Sequence, residues 1–412
     1  MEIAFSVISV LIFISYMVAR REPLVIFPVY LMVINGYVYF GSSQLFGYAL
    51  NSPFQFHELI DNEGLIRSYG VFVIAAWSFF FGVLLAPRFK RKKATKINSG
   101  MQKHGKWAVS SNVIVILYTL TMLSLHVGWG IDHLYSRTGY TLGSSEGTHF
   151  RTVFVFLLPV TCLLLPMYPR ALTRISFLIL LFVVVQGTNS RTLVLIPAFY
   201  FLGILIRDKH WSTLKFAIAS LFAIFSLIYV MEYRYHESQG VIPNLVFLVN
   251  NGIDLSLINI ALNYIFAYSF YATAYTVSGF DLDFTSFLIS VNPLPSAFLD
   301  INHMIETQML NKNAPFTAIG TLALSGLPYL ITYFFLAGFA WKLFRDYSES
   351  RSALLLIVIT ILFLLFMIFC TQYNLRGVTR YVYYAGALVF GFSLMKIFII
   401  TGRQALIYSK EN

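Results

Sequence analysis

Apolar and polar positions in this chain come in blocks and do not alternate residue by residue. Mostly apolar runs occupy about 3–19, 24–42, 69–87, 108–127, 152–168, 174–189, 191–206, 213–231, 322–343, 353–371 and 381–400. Each approaches the roughly 20 residues that a helix needs to cross the hydrocarbon layer of a bilayer, so the pattern predicts eleven transmembrane helices. Pro159, Pro166, Pro197 and Pro328 interrupt several runs, and a bundle tolerates this because neighbouring helices re-satisfy the freed backbone groups. Runs this long and continuous exclude a transmembrane β-barrel, whose strands read as short alternating segments.

The segment 232–321 breaks the rhythm. Within it, 255–277 (LSLINIALNYIFAYSFYATAYTV) carries no charge. Its asparagines, serines and tyrosines suit an interfacial or re-entrant helix, and counting it as a span would move Lys342, Arg345, Arg351, Lys396, Arg403 and Lys410 to the outer side. The expected organisation is eight spans over 1–231, a large periplasmic loop with interfacial helices over 232–321, and three spans over 322–412. The fold class is all-α, a polytopic integral membrane protein.

Composition agrees. Of 412 residues, 58% are hydrophobic and 11% charged, and the mean hydropathy is +0.72; soluble domains average about 45–50% apolar and about 25% charged. A disordered chain, a soluble nucleic-acid binder and a disulfide scaffold are excluded. Cys162 and Cys370 fall inside spans and read as packing residues. No cleavable signal peptide, internal repeat or nucleotide-binding loop is evident, and the longest cytoplasmic connection, about 20 residues, is too short for a nucleotide-binding domain. No cofactor and no metal are expected.

The net charge of +11 changes meaning once sorted by side. With the N-terminus outside, 21 of the 29 basic residues face the cytoplasm, against 5 of the 18 acidic ones. The inner face is then +16 and the outer face −5, the asymmetry that orients membrane proteins. The basic run from Arg88 to Lys106 reads as a cytoplasmic loop against anionic lipid.

Outer basic residues are not explained this way. Arg191 ends QGTNSR (186–191) at the start of the seventh span, where an arginine is costly unless it is paired, liganded or snorkelling to head groups. Arg376 and Arg380 lie in NLRGVTR (374–380), four apart, so on a helix they share a face; interfacial anchoring beside Tyr373, Tyr381, Tyr383 and Tyr384 is the competing reading. Arg234, in EYRYHE (232–237), stands next to Glu232 and Glu237, so a plain salt bridge is the expected reading ahead of ligand binding. Arginine matches phosphate bidentately and keeps its charge. Outer turns that carry arginine at membrane depth therefore suit a lipid-linked phosphate or pyrophosphate.

For acid–base work the same face offers His303 and Glu306, three apart in DINHMIETQM (300–309), with His133, His149, His236 and Asp300 as further candidates. A neutral histidine is the common general base near pH 7, although a lone loop histidine is also an ordinary surface residue. Tyr264, Tyr268, Tyr271 and Tyr275 could stack on sugar rings or form one packed helix face.

The eleven-span layout, the large late outer loop, GTNSR at the start of a span, VNPLPSAF (291–298) and APFTAIGTLALSGLPYLI (314–331) together resemble the bacterial O-antigen or oligosaccharide repeat-unit polymerases, the Wzy family. The resemblance implies an inner-membrane, GT-C-like glycosyltransferase that works at the periplasmic face. Its substrate would be an oligosaccharide linked to undecaprenyl pyrophosphate. It implies a flippase and a chain-length regulator as pathway partners, and no nucleic acid. By position it gives Arg191, Arg376 and Arg380 the pyrophosphate and His303 the part of the loop histidine; the chemistry of the transfer adds Arg234 as a further pyrophosphate candidate and Glu306 as the alternative base for the acceptor proton. An O-antigen ligase and a polysaccharide flippase or transporter are the alternatives.

Overall fold

The computed structural model describes residues 2–45, 53–87, 110–138, 147–208, 213–233, 236–252, 257–311, 314–351 and 353–411. Among them the regular structure is helical apart from two short antiparallel ladders. In chain order the helices are α1 (Glu2–Arg20), α2 (Ile26–Asn35), α3 (Asn62–Leu85), α4 (Ser111–Trp129), α5 (Ile131–Tyr135), α6 (Thr148–Leu164), α7 (Ala171–Gln186), α8 (Leu195–Asp208) and α9 (Thr213–Tyr233), followed by α10 (Val241–Asn251), α11 (Leu257–Gly279), α12 (Phe284–Val291), α13 (Ile301–Thr307), α14 (Ala318–Leu324), α15 (Leu327–Arg351), α16 (Ala353–Cys370) and α17 (Leu375–Glu411). Strands β1 (Arg137–Thr138) and β2 (Ser238–Gln239) pair with each other, as do β3 (Met309–Asn311) and β4 (Ala314–Pro315).

Each apolar run, among the described residues, lies mainly on helix. Among the described residues, six helical stretches are long and apolar enough to cross a membrane: Glu2–Arg20, Pro23–Gly41, Asn62–Leu85, Ser111–Trp129, His149–Met167 and Leu327–Arg351. Further apolar helices are shorter, among them Ala171–Gln186 and Val358–Cys370.

The chain divides into two compact units. The first joins residues 1–95 to 263–412, and the second is 96–262. In the first, α3 lies against α15 at two glycines. A Cβ on Gly82 would fall 2.1 Å from the Phe335 carbonyl oxygen, and one on Gly338 would fall 2.2 Å from that of Phe79. Small residues let helix backbones approach in this way where no hydrophobic force drives them together. Phe27, Phe79, Phe334 and Phe366 fill the core beside this crossing.

The segment expected to be interfacial is one helix, α11, buried on all sides from Ala267 to Ala274. It packs along the first half of α3, where Ser68 Oγ donates to the Phe270 carbonyl at 3.3 Å and Phe72 stacks on Phe270. Tyr268 and Tyr271 are buried, and Tyr275 stacks on Phe56. These rings are therefore core residues and not an open sugar platform; the side chain of Tyr264 lies outside the described residues.

Lys342 and Arg345, read from sequence as loop charges, belong to α15, which continues past residue 343. Lys342 Nζ is 2.5 Å from Glu22 and 3.0 Å from Asp346, and Arg345 pairs with Glu22 and, at 2.9 Å, with Asp346. All four are buried or nearly so. Two cations and two anions cancel, as burial of charge requires, and the cluster ties the turn after α1 to α15.

Candidate functional site

The loop 280–311 of the first unit carries two of the six residues singled out by sequence, His303 and Glu306, and is contacted by two more, Arg376 and Arg380. Asp283 caps α12, its Oδ1 accepting from Thr285 N at 3.0 Å, and Asp300 caps α13, accepting from His303 N at 3.1 Å. Side-chain oxygens at a helix start satisfy amides that lack an intrahelical partner. The two capped helices lie side by side, and His303 Nε2 stands 2.7 Å from Asp283 Oδ2.

Asp283 Oδ2 also accepts from Ser286 Oγ at 2.6 Å, and Ser286 Oγ lies 2.6 Å from Thr307 Oγ1. One turn on, Ser290 Oγ donates to Gln308 Oε1 at 3.1 Å. The Ser286 hydroxyl, joined by the Thr285 and Ser286 amides and by His303, holds the Asp283 carboxyl below the usual carboxylate range, against a smaller desolvation effect. Asp283 and His303 remain partly open to solvent.

Arg376, in the first turn of α17, is buried. Its Nη1 donates to the carbonyls of Ile289 at 2.6 Å and Asn292 at 3.2 Å, and its Nη2 donates to that of Leu294 at 2.8 Å. Tyr383 Oη, two turns further on, donates to the Val291 carbonyl at 2.5 Å, and Arg380 Nη2 donates to Ser296 Oγ at 2.5 Å. Arg376 and Arg380 thus share a helix face, as their spacing predicts, but both grip the segment 289–296 and do not straddle an open anion site. Arg376 spends three donations on backbone carbonyls.

Glu306 is exposed. Although it follows His303 by three residues, the partner of His303 is Asp283. Sequence reading missed Asp283 and passed over the Asp-x-Asp spacing of Asp281 and Asp283. The usable signal was Asp283 three residues before Ser286, a helix-start pattern at the head of an apolar run.

Arg191 belongs to the second unit. It opens a single 3-10 turn, Arg191–Val194, capped by Ser190 Oγ, which accepts from Thr192 N at 3.4 Å; its side chain lies outside the described residues, and so does Arg234 altogether. The turn that presents Arg191 is firmly built. A Cβ on Gly187 would sit 2.6 Å from the Leu134 carbonyl oxygen, and Asn189 adopts a left-handed φ of 49°. Asn244 Nδ2 donates to Asn189 Oδ1 at 2.7 Å, Arg137 Nη1 donates to the Gly187 carbonyl at 2.7 Å, and Tyr229 Oη donates to Gln186 Oε1.

Fold and site define an α-helical protein with membrane-length apolar helices and a buried-polar loop segment clamped by arginine. No protein-family model, curated protein or solved structure matches the chain.

Proposed function

We propose that this protein is a membrane glycosyltransferase, a polysaccharide repeat-unit polymerase of the bacterial inner membrane that acts at the periplasmic face. It would move a growing glycan from undecaprenyl pyrophosphate to a hydroxyl of the next lipid-linked repeat unit. The observation that carries this reading is the pairing of His303 with Asp283 on a segment that Arg376 and Arg380 also hold. It unites an imidazole fit for general-base work with the arginine-bearing turn in one unit.

The chemistry needs little more. The leaving pyrophosphate is already activated, so a positioned base for the acceptor hydroxyl and cationic donors for the departing charge supply what the transfer requires. His303 takes the acceptor proton. Arg380 is the cation of this segment proposed to face pyrophosphate; Arg191 and Arg234, of the second unit, are separate candidates for that role from the sequence alone. Glu306, unpaired with His303, becomes the weaker candidate for the base. The eleven-span topology, with the basic loops inside, belongs to the same proposal, as do a flippase and a chain-length regulator as partners.

Deleting the gene and resolving the surface glycan on a gel tests the reading. Collapse of the ladder to a single repeat unit supports a polymerase. Long polymer retained on its lipid carrier identifies a ligase, and loss of all outward-facing lipid-linked units identifies a flippase. Arg191→Ala at wild-type protein level is expected to shorten the ladder; an unchanged ladder sinks the pyrophosphate role of Arg191.

A further inference from the structure

We infer that Asp283 is the positioning residue of His303: it holds the ring in the tautomer with the proton on Nε2, which makes Nδ1 the atom that receives the acceptor proton. The inference rests on the reading of His303 as the base but concerns a residue and an atom that the reading leaves open.

The geometry decides which nitrogen is which. An ionised carboxylate accepts hydrogen bonds and donates none. At 2.7 Å from Asp283 Oδ2, Nε2 must therefore carry a proton, and in the neutral ring the lone pair then sits on Nδ1. Among the described residues Nδ1 has no hydrogen-bond partner, and the His303 side chain is partly open. Asp283 is not free to turn away. One oxygen is fixed by the Thr285 amide, the other by the Ser286 hydroxyl, and Ser286 is itself fully buried against Thr307. A third group orienting the base in this way is the usual logic of activated proton transfer.

The charged groups of the segment that carries the ring are acidic, and the cations packed on it, Arg376 and Arg380, are engaged with the carbonyls of Ile289, Asn292 and Leu294 and with Ser296 Oγ. The ring's own helix carries Glu306 and the cap Asp300, and the approach to α12 carries Asp281 and Asp283, with no lysine or arginine between Gly279 and Asn311. An imidazolium formed by the reaction is met by the Asp283 carboxylate.

The transfer balances as follows. The acceptor hydroxyl gives its proton to Nδ1 as its oxygen bonds to the sugar C1. The bond from C1 to the pyrophosphate oxygen breaks, and its electron pair leaves with the lipid pyrophosphate. The imidazolium, braced by Asp283, then returns its proton from Nδ1 to water.

The test uses full-length protein with 15N-labelled histidine rings, reconstituted in lipid. His303→Gln identifies the His303 signals by difference. At about pH 8, two-bond proton–nitrogen spectra should show the Nε2-protonated tautomer at His303. Asp283→Asn keeps an N-cap and an acceptor for Ser286, so the fold is preserved, but its amide no longer demands a proton on Nε2. The spectrum should become a mixture of tautomers and the polymerisation rate should fall on the order of 10²- to 10⁴-fold, with Asp283→Glu recovering part of both. Nδ1 protonation in the wild type, or an unchanged tautomer in Asp283→Asn, overturns the inference. The expected tautomer with full polymerisation in His303→Gln overturns the catalytic reading instead, so the two failures are separable.

Discussion

Arg376 and His303 hold opposite ends of the same two-turn helix. The guanidinium collects the carbonyls of Ile289, Asn292 and Leu294 at the C-terminal end of α12, while the imidazole meets Asp283, the residue that caps its N-terminal end. Eight residues of helix join the two held ends.

Arg376→Ala is therefore expected to destabilise this segment by about 1–3 kcal/mol for each carbonyl left buried without a donor. Thermal unfolding should fall, and protease cleavage between Asn292 and Phe298 should accelerate. Arg376→Lys should recover only a fraction, since one ammonium cannot reproduce a planar fork. Wild-type protease resistance in Arg376→Ala would contradict the clamp.

The Asp283 network gives a pH dependence with a definite sign. Its carboxyl titrates below its ordinary value of 3.8 in the folded protein, so its stabilisation is fully present above about pH 4 and is lost as pH falls through the lower, folded value. Wild type should unfold at a higher temperature than Asp283→Asn near neutral pH, and the two should converge in more acidic buffer. A gap that widens on acidification would reverse the assignment.

At the other cluster, Glu22→Gln leaves Lys342 and Arg345 buried with one carboxylate fewer. Breaking a buried pair from one side costs about 3–5 kcal/mol, and added salt should not restore it because the site is closed to solvent. Glu22→Gln combined with Lys342→Met should recover part of the loss. Thermal unfolding of the single and double variants reads both.

Gly338→Ala places a methyl group 2.2 Å from the Phe79 carbonyl oxygen. The backbones of α3 and α15 must then separate, at a cost of about 1–3 kcal/mol or more. A cross-link between cysteines placed on the two helices near the crossing should form more slowly in this variant.

Helices were legible wherever length and apolarity alone define them, as in α1, α4 and α6. Their ends were not. α3 begins at Asn62, before the apolar run, because Asp61 caps a polar first turn through Gly64 N at 2.7 Å. α15 ends at Arg351, beyond its run, because the charges in its last turns are paired with one another and with Glu22. In the site, sequence flagged Arg376 and His303 as residues whose charge or chemistry lacked a local reason. Their partners are backbone carbonyls more than 80 residues away and a carboxylate 20 residues away, relationships that no periodicity encodes.

The glycine crossing between α3 and α15 also bears on the order of events at the ribosome. α15 begins about 240 residues after α3 ends, and the whole second unit is made in between. At about 5–20 residues per second the wait is on the order of tens of seconds. Through that interval Gly82 stands without Phe335 as its neighbour, and the first unit is completed only when the late helices close on the early ones.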